Sequence, residues 1–212
     1  MSTDIAVAIA QPPGDGWVRF PAARARRTGL RSSLPGALRG TGKDEDLTGW
    51  AAATARELPG PRADPSLAST YAVMLAELAA SGRQRDLLLG YVWLPGTTGP
   101  VAQIDVSLLH AASARAGLTV DMLEKQFGQP DPGAVEFEVS QVQLAAGPAL
   151  RTRQVWQAGD SPSDTALSVT YACRPPEISD AVMYTMYWTI ADDEPRLTEI
   201  ADSLAATLRI TG

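Results

Sequence analysis

The chain holds one histidine, His110, and one cysteine, Cys173, so a site within it that needs two of either is closed. That removes an internal disulfide, a multi-cysteine metal site and a paired-histidine zinc site. His110 has the chemistry of a general base. A base needs a nucleophile or carboxylate beside it, and no local motif supplies one, so His110 reads as a strand-end or surface residue. Cys173 alternates with Val169 and Tyr171, on the apolar side of a strand. A reactive thiolate needs an electropositive, partly exposed site. Arg174 is adjacent in sequence but points to the opposite side, so Cys173 reads as a buried structural residue.

The acidic runs Asp44-Glu45-Asp46 and Asp192-Asp193-Glu194 have carboxylates for a hard cation. Neither has the alternating ligands and central glycine of a calcium loop, and the second is better read as a helix cap. Gly-x-Ser-x-Gly, Gly-x-x-x-x-Gly-Lys and a strand-linked Gly-x-Gly-x-x-Gly are all missing from the sequence. Acyl transfer, a phosphate loop and a dinucleotide site therefore have no motif behind them. No catalytic residue, cofactor or metal is expected.

Two groups have the chemistry of binding. Arg24, Arg26, Arg27 and Arg31 concentrate positive charge, and residues 1–43 sum to +5 while the other 169 sum to −11. The arginines can meet an anionic partner or fold back on the chain's own acidic body. Trp93, Trp156, Trp188, Tyr184 and Tyr187 can line a groove for a peptide or pack between sheet and helix. The candidate partner-binding residues are Arg24, Arg26, Arg27, Arg31, Trp93, Trp156 and Tyr187. A net charge of −6 argues against nucleic acid, so the expected partner is a protein or peptide.

The elements that must position these residues are legible in the periodicity. The 212 residues suit one domain with its own core. Residues 1–62 are the least regular part, with a short strand at Trp17–Phe20 and a helix over 48–57 that Thr48 can cap. Asp64 and Pro65 open a helix whose stripe is Leu67, Tyr71, Met74, Leu75 and Leu78. Leu87–Leu94 and Ile104–Leu108 read as a hairpin, with Gln103, Asp105 and Ser107 on a wet face. Thr119 caps a short helix, with Leu118 and Leu123 as its staple. Four strands follow around residues 135–140, 149–157, 167–173 and 182–190, joined by turns as in an antiparallel meander. A last helix carries Leu197, Ile200, Ala201, Leu204 and Leu208, capped by Asp192 or Asp193. Burying its four large side chains is worth roughly 6–12 kcal/mol before entropy costs, so it must dock on the sheet.

Gly147-Pro148-Ala149-Leu150-Arg151 opens a strand after a short apolar lead-in. Ile200-Ala201-Asp202-Ser203-Leu204-Ala205-Ala206-Thr207-Leu208-Arg209 follows a strand rich in Trp, Tyr and Met. This order resembles actinobacterial proteins of the PsbP-like superfamily, which includes LpqN-type lipoproteins and secretion chaperones. The resemblance covers residues 135–210, and 86–127 more loosely. It implies an antiparallel sheet between helices, an α/β/α sandwich, and a non-enzymatic role.

The combined expectation is an α+β domain over 1–212 with an antiparallel meander flanked by helices. The expected function is that of a non-enzymatic binding, adaptor or chaperone-like protein linked to a secretion or envelope system. An enzyme assembled from scattered residues, or a subunit of a larger assembly, are the alternatives. The N-terminal stretch carries Asp4 and no basic segment, and no run reaches the roughly 18 apolar residues of a membrane helix, so a cytoplasmic location is expected.

Overall fold

A computed structural model describes residues 5–21, 46–96, 101–111, 117–157, 165–189 and 194–211. The N-terminal part forms β1 (Ala6–Ala8), β2 (Trp17–Phe20), α1 (Leu47–Glu57), α2 (Pro59–Ala63) and α3 (Leu67–Gln84). Then come β3 (Leu89–Trp93), β4 (Ala102–Leu109), α4 (Val120–Phe127), β5 (Ala134–Leu144), β6 (Gly147–Gln157), β7 (Thr165–Cys173) and β8 (Ala181–Trp188). The chain closes with α5 (Glu194–Ala206) and β9 (Arg209–Thr211).

Seven strands make one sheet in the order β2-β3-β4-β8-β7-β6-β5, with every neighbouring pair antiparallel. The meander β5 to β8 and the hairpin β3–β4 are those the alternation implies, and β4 joins them by pairing with β8. With helices on both faces, the architecture is α+β.

The first face is the larger core. Ile104, Val106, Val169, Tyr171, Tyr184, Met186 and Trp188 lie under Leu197, Ala201, Leu204 and Ala205 of α5. The last helix thus docks as its stripe requires. It ends at Ala206, however, short of Leu208. The hydroxyl of Thr207 donates to the carbonyl of Leu204 and accepts from the N–H of Ala10. The chain then leaves the helix axis and Arg209–Thr211 pair with Ala6–Ala8. Leu208 is fully buried all the same, outside the helix.

The second face is covered in two separate places. Val18, Phe20 and Val92 pack against Ala51, Ala55, Tyr71 and Leu75 of α1 and α3. Leu150, Ala172 and Ala181 pack against Leu118 and Leu123 around α4, whose first turn is capped by Thr119 as expected. Phe20 explains two glycines. Its ring stands where a Cβ on Gly90 would lie, and within 3.0 Å of one on Gly82, so it is clasped between β3 and α3.

Helix starts differ in detail from the sequence reading. Asp46, two residues before Thr48, caps α1 by accepting from the N–H of Gly49 at 2.9 Å. A carboxylate at the N-cap also suits the positive end of the helix. The N-cap of α3 is Ser66 and not Asp64, and Asp64 instead accepts from the N–H and the hydroxyl of Ser66 in the turn between α2 and α3. Among the described residues no helix is long and apolar enough to cross a membrane.

Candidate functional site

The strand registers place eight polar side chains side by side on the second face. Asp105, Thr185, Thr170 and Thr152 are direct cross-strand partners in one row. Gln103, Tyr187, Ser168 and Gln154 form the next. This two-by-four patch spans β4, β8, β7 and β6. It belongs to none of the hydrophobic clusters. The α1–α3 cluster flanks it on the β2–β3 side, and the α4 cluster flanks the row Met183–Ala172–Leu150 beside it.

Burying a polar group without a partner is costly, so natural cores avoid it. The buried polar or charged residues among those described are Gln103, Asp105, Thr152 and Ser168, and all four sit in this patch. Thr185, Thr170, Gln154 and Tyr187 are half-buried. Here the sequence reading needs correction. Gln103 and Asp105 lie on the expected polar side of β4, yet that side is not wet, because both are 7% exposed.

Asp105 is held by three donors. Arg85 Nη1 reaches its Oδ2 at 2.6 Å, Gln103 Nε2 its Oδ1 at 2.8 Å, and the Tyr187 hydroxyl its Oδ2 at 3.1 Å. Arg85 comes from the C-cap of α3, and Asp86 after it takes a positive φ of 52° as the chain turns towards β3. Burial opposes the charge on Arg85, but the hydrogen bond and charge of Asp105 outweigh it and hold the guanidinium more firmly protonated. Burial, then the charge of Asp105, pushes the Tyr187 hydroxyl well above its ordinary pKa, so Tyr187 stays a neutral donor. Both carboxylate oxygens of Asp105 are thus engaged by the chain's own donors. At the other end of the patch Thr170 and Thr185 are hydrogen-bonded to each other at 3.0 Å, and the Gln154 amide accepts from the N–H of Asp131 and donates to its Oδ2.

Of the sequence candidates, Tyr187 enters this patch, and Trp156 lies on the same face, half-buried, one step beyond Gln154. Trp93 is on the other face. It stacks on Trp17 at 6.0 Å, with Arg196 of α5 5.8 Å from its ring centroid and its Nε1 donating to Asp15 O. Trp93 therefore ties α5 and the N-terminal segment to the sheet. Tyr184 and Trp188 are core residues under α5. Arg24, Arg26, Arg27 and Arg31 lie outside the described residues.

His110 does have a carboxylate partner, which local motifs did not show. Its Nδ1 lies 2.9 Å from Asp180 Oδ2, and Asp180 Oδ1 accepts from the N–H of Ala111. Burial alone would raise the Asp180 pKa, but those two contacts outweigh it and hold the carboxyl below its ordinary value. The pair is surface-lying and fastens the end of β4 to the turn before β8. Cys173 is buried, and desolvation raises its thiol to about 11, so it is almost wholly protonated at neutral pH. Asp46 is the α1 cap, while Asp44, Glu45, Asp192 and Asp193 lie outside the described residues. Among the described residues no three His, Cys, Asp or Glu side chains gather as a metal site requires.

The first face carries its own ionic set, and it is structural. Arg151 makes a two-pronged bond to Asp202 of α5 at 3.1 and 3.2 Å, and Tyr171 donates to the same carboxylate at 2.6 Å. Arg153 pairs with Glu194 at the start of α5 and with Glu136 at 3.1 Å. These contacts pin α5 across β6.

No protein-family model and no curated protein matches the chain. Among solved structures, it is similar to LpqN of Mycobacterium tuberculosis, described as involved in cell envelope biogenesis. The likeness covers 58% of this chain and 72% of that one, at 14% identity and a TM-score of 0.41. That is too slight to carry an argument about this chain.

Proposed function

We propose that the protein is a non-enzymatic binding or adaptor protein whose second sheet face, between α3 and α4, takes a polar segment of a partner protein. The observation that carries this reading is the alignment of the half-buried Thr170, Thr185, Gln154 and Tyr187, the groups a partner can reach, with the buried polar residues Asp105, Gln103, Thr152 and Ser168 beside them. The hydroxyl and amide groups of this patch both donate and accept, which suits peptide groups better than a charged or apolar ligand. Its one carboxylate is already neutralised by Arg85, and its neighbours Thr170, Thr185 and Tyr187 are half-buried. Catalysis is less well supported: Asp105 is fully engaged and Cys173 is a buried, protonated thiol. The sequence resemblance to the PsbP-like superfamily points the same way, and a chaperone-like or accessory role in a secretion or envelope system belongs to the proposal on that ground.

Site-specific photo-crosslinking in the native cell tests it. A benzophenone amino acid at Gln154 should yield one discrete adduct, and the same group at exposed Val73 on α3 should yield none. Equal labelling from both positions, or none from Gln154, contradicts the reading.

A further inference from the structure

The two edges of the sheet are unlike. β2 is four residues long and stops at Pro21, which is how natural edges avoid unwanted pairing. β5 is eleven residues, about twice the mean strand length. Among the described residues only β6 pairs with it. After one irregularity between Ala134 and Glu136, its register with β6 runs unbroken from Glu136 to Leu144. Val135 and Val139 are 59% and 40% exposed, two of the four exposed large hydrophobic residues described.

Charge along this edge has one sign. Glu136 and Glu138 are 62% and 65% exposed and lie 3.1 and 3.6 Å from Arg153. Arg153 is also bound by Glu194, so three carboxylates share one guanidinium and the edge stays negative. The stretch Val139–Leu144 beyond it carries no charge and no proline. A second copy would bring the same acids in a chain of net charge −6, whereas a basic strand would neutralise them.

From this we propose that the outer edge of β5 is a strand-addition site for an extended partner segment with Lys or Arg at alternate positions. The bases face Glu136 and Glu138, and the intervening apolar residues lie beside Val135 and Val139. Main-chain hydrogen bonds hold the added strand, and the acids select its sequence. This surface is distinct from the polar patch and goes beyond it.

Fluorescence anisotropy with a ten-residue peptide of alternating Lys and Val tests the proposal, with a Glu–Val peptide as control. Wild-type protein should bind the Lys peptide at least about tenfold more tightly than the Glu peptide. The exposed-site double variant Glu136→Lys/Glu138→Lys should reverse that order. N-methylation of alternate amides along one edge of the Lys peptide should abolish binding, and along the other edge should not. The double variant Thr170→Val/Thr185→Val, in the patch, should bind the Lys peptide as wild type does. No charge preference, a preference unchanged in the Lys variant, or indifference to N-methylation overturns it. So does a wild-type dimer in sedimentation that Val139→Lys dissociates, because a second copy would then occupy the edge.

Discussion

On β8, Tyr184, Met186 and Trp188 point to one face while Thr185 and Tyr187 point to the other, and the two sets meet different company. The first three lie beneath α5 in the main core. The other two join Asp105, Thr170, Ser168 and Gln103 in a patch between two helix clusters. Ionic contacts follow the same division. Arg151–Asp202 and Arg153–Glu194 join α5 to the sheet on the first face, and Arg85–Asp105 joins the end of α3 to β4 on the second, where the carboxylate is buried among polar groups. The comparison teaches that one strand can present an apolar core face on one side and a polar, hydrogen-bonded face on the other, which under the proposed function serves recognition. The first side is tuned by shape and apolar area, the second by matched hydrogen-bonding groups.

Breaking the first face should have the largest effect. Leu204 is 3% exposed against the sheet, and Leu204→Asp puts an unpaired charge there. The expected result is loss of the cooperative melting transition in calorimetry, since the cost approaches the whole stability of a typical domain. Next is Asp105→Ala, which leaves Gln103 and Tyr187 without their acceptor. Arg85 is 45% exposed and can turn to water, so the expected cost is about 2 kcal/mol by urea unfolding.

Thr170→Val/Thr185→Val sharpens the contrast. Both partners of one hydrogen bond are replaced by groups of the same shape, so no donor is stranded and stability should change by less than about 1 kcal/mol. Tyr184→Phe should be the smallest change and of opposite sign. The Tyr184 hydroxyl is buried under α5 without a hydrogen-bond partner, so its removal should stabilise the fold by up to about 1 kcal/mol in the same urea assay.

The division between faces was half legible in the sequence. Period-two alternation in Leu167–Cys173 and Val182–Trp188 marks which residues share a side, and the stripe Leu197, Ala201, Leu204 shows that a helix covers the apolar one. Register is different, because cross-strand partners are set by turns and long-range packing. Nothing local says that Asp105 stands beside Thr185, nor that Arg85 reaches Asp105 from twenty residues away. For the same reason His110 gave no hint of Asp180, seventy residues on. The strand pairing of Arg209–Thr211 was hidden by helix periodicity that continues through Leu208, and only the N-terminal strand that receives it explains the break.

The most direct measurement pairs affinity with stability in the threonine variant. Once crosslinking at Gln154 has identified the bound segment, its dissociation constant is measured for wild type and for Thr170→Val/Thr185→Val, with a melting curve for each. The account predicts a loss of at least about tenfold in affinity with the melting temperature held to within about 4 °C. Unchanged affinity in a folded variant would contradict it and return the patch to ordinary packing.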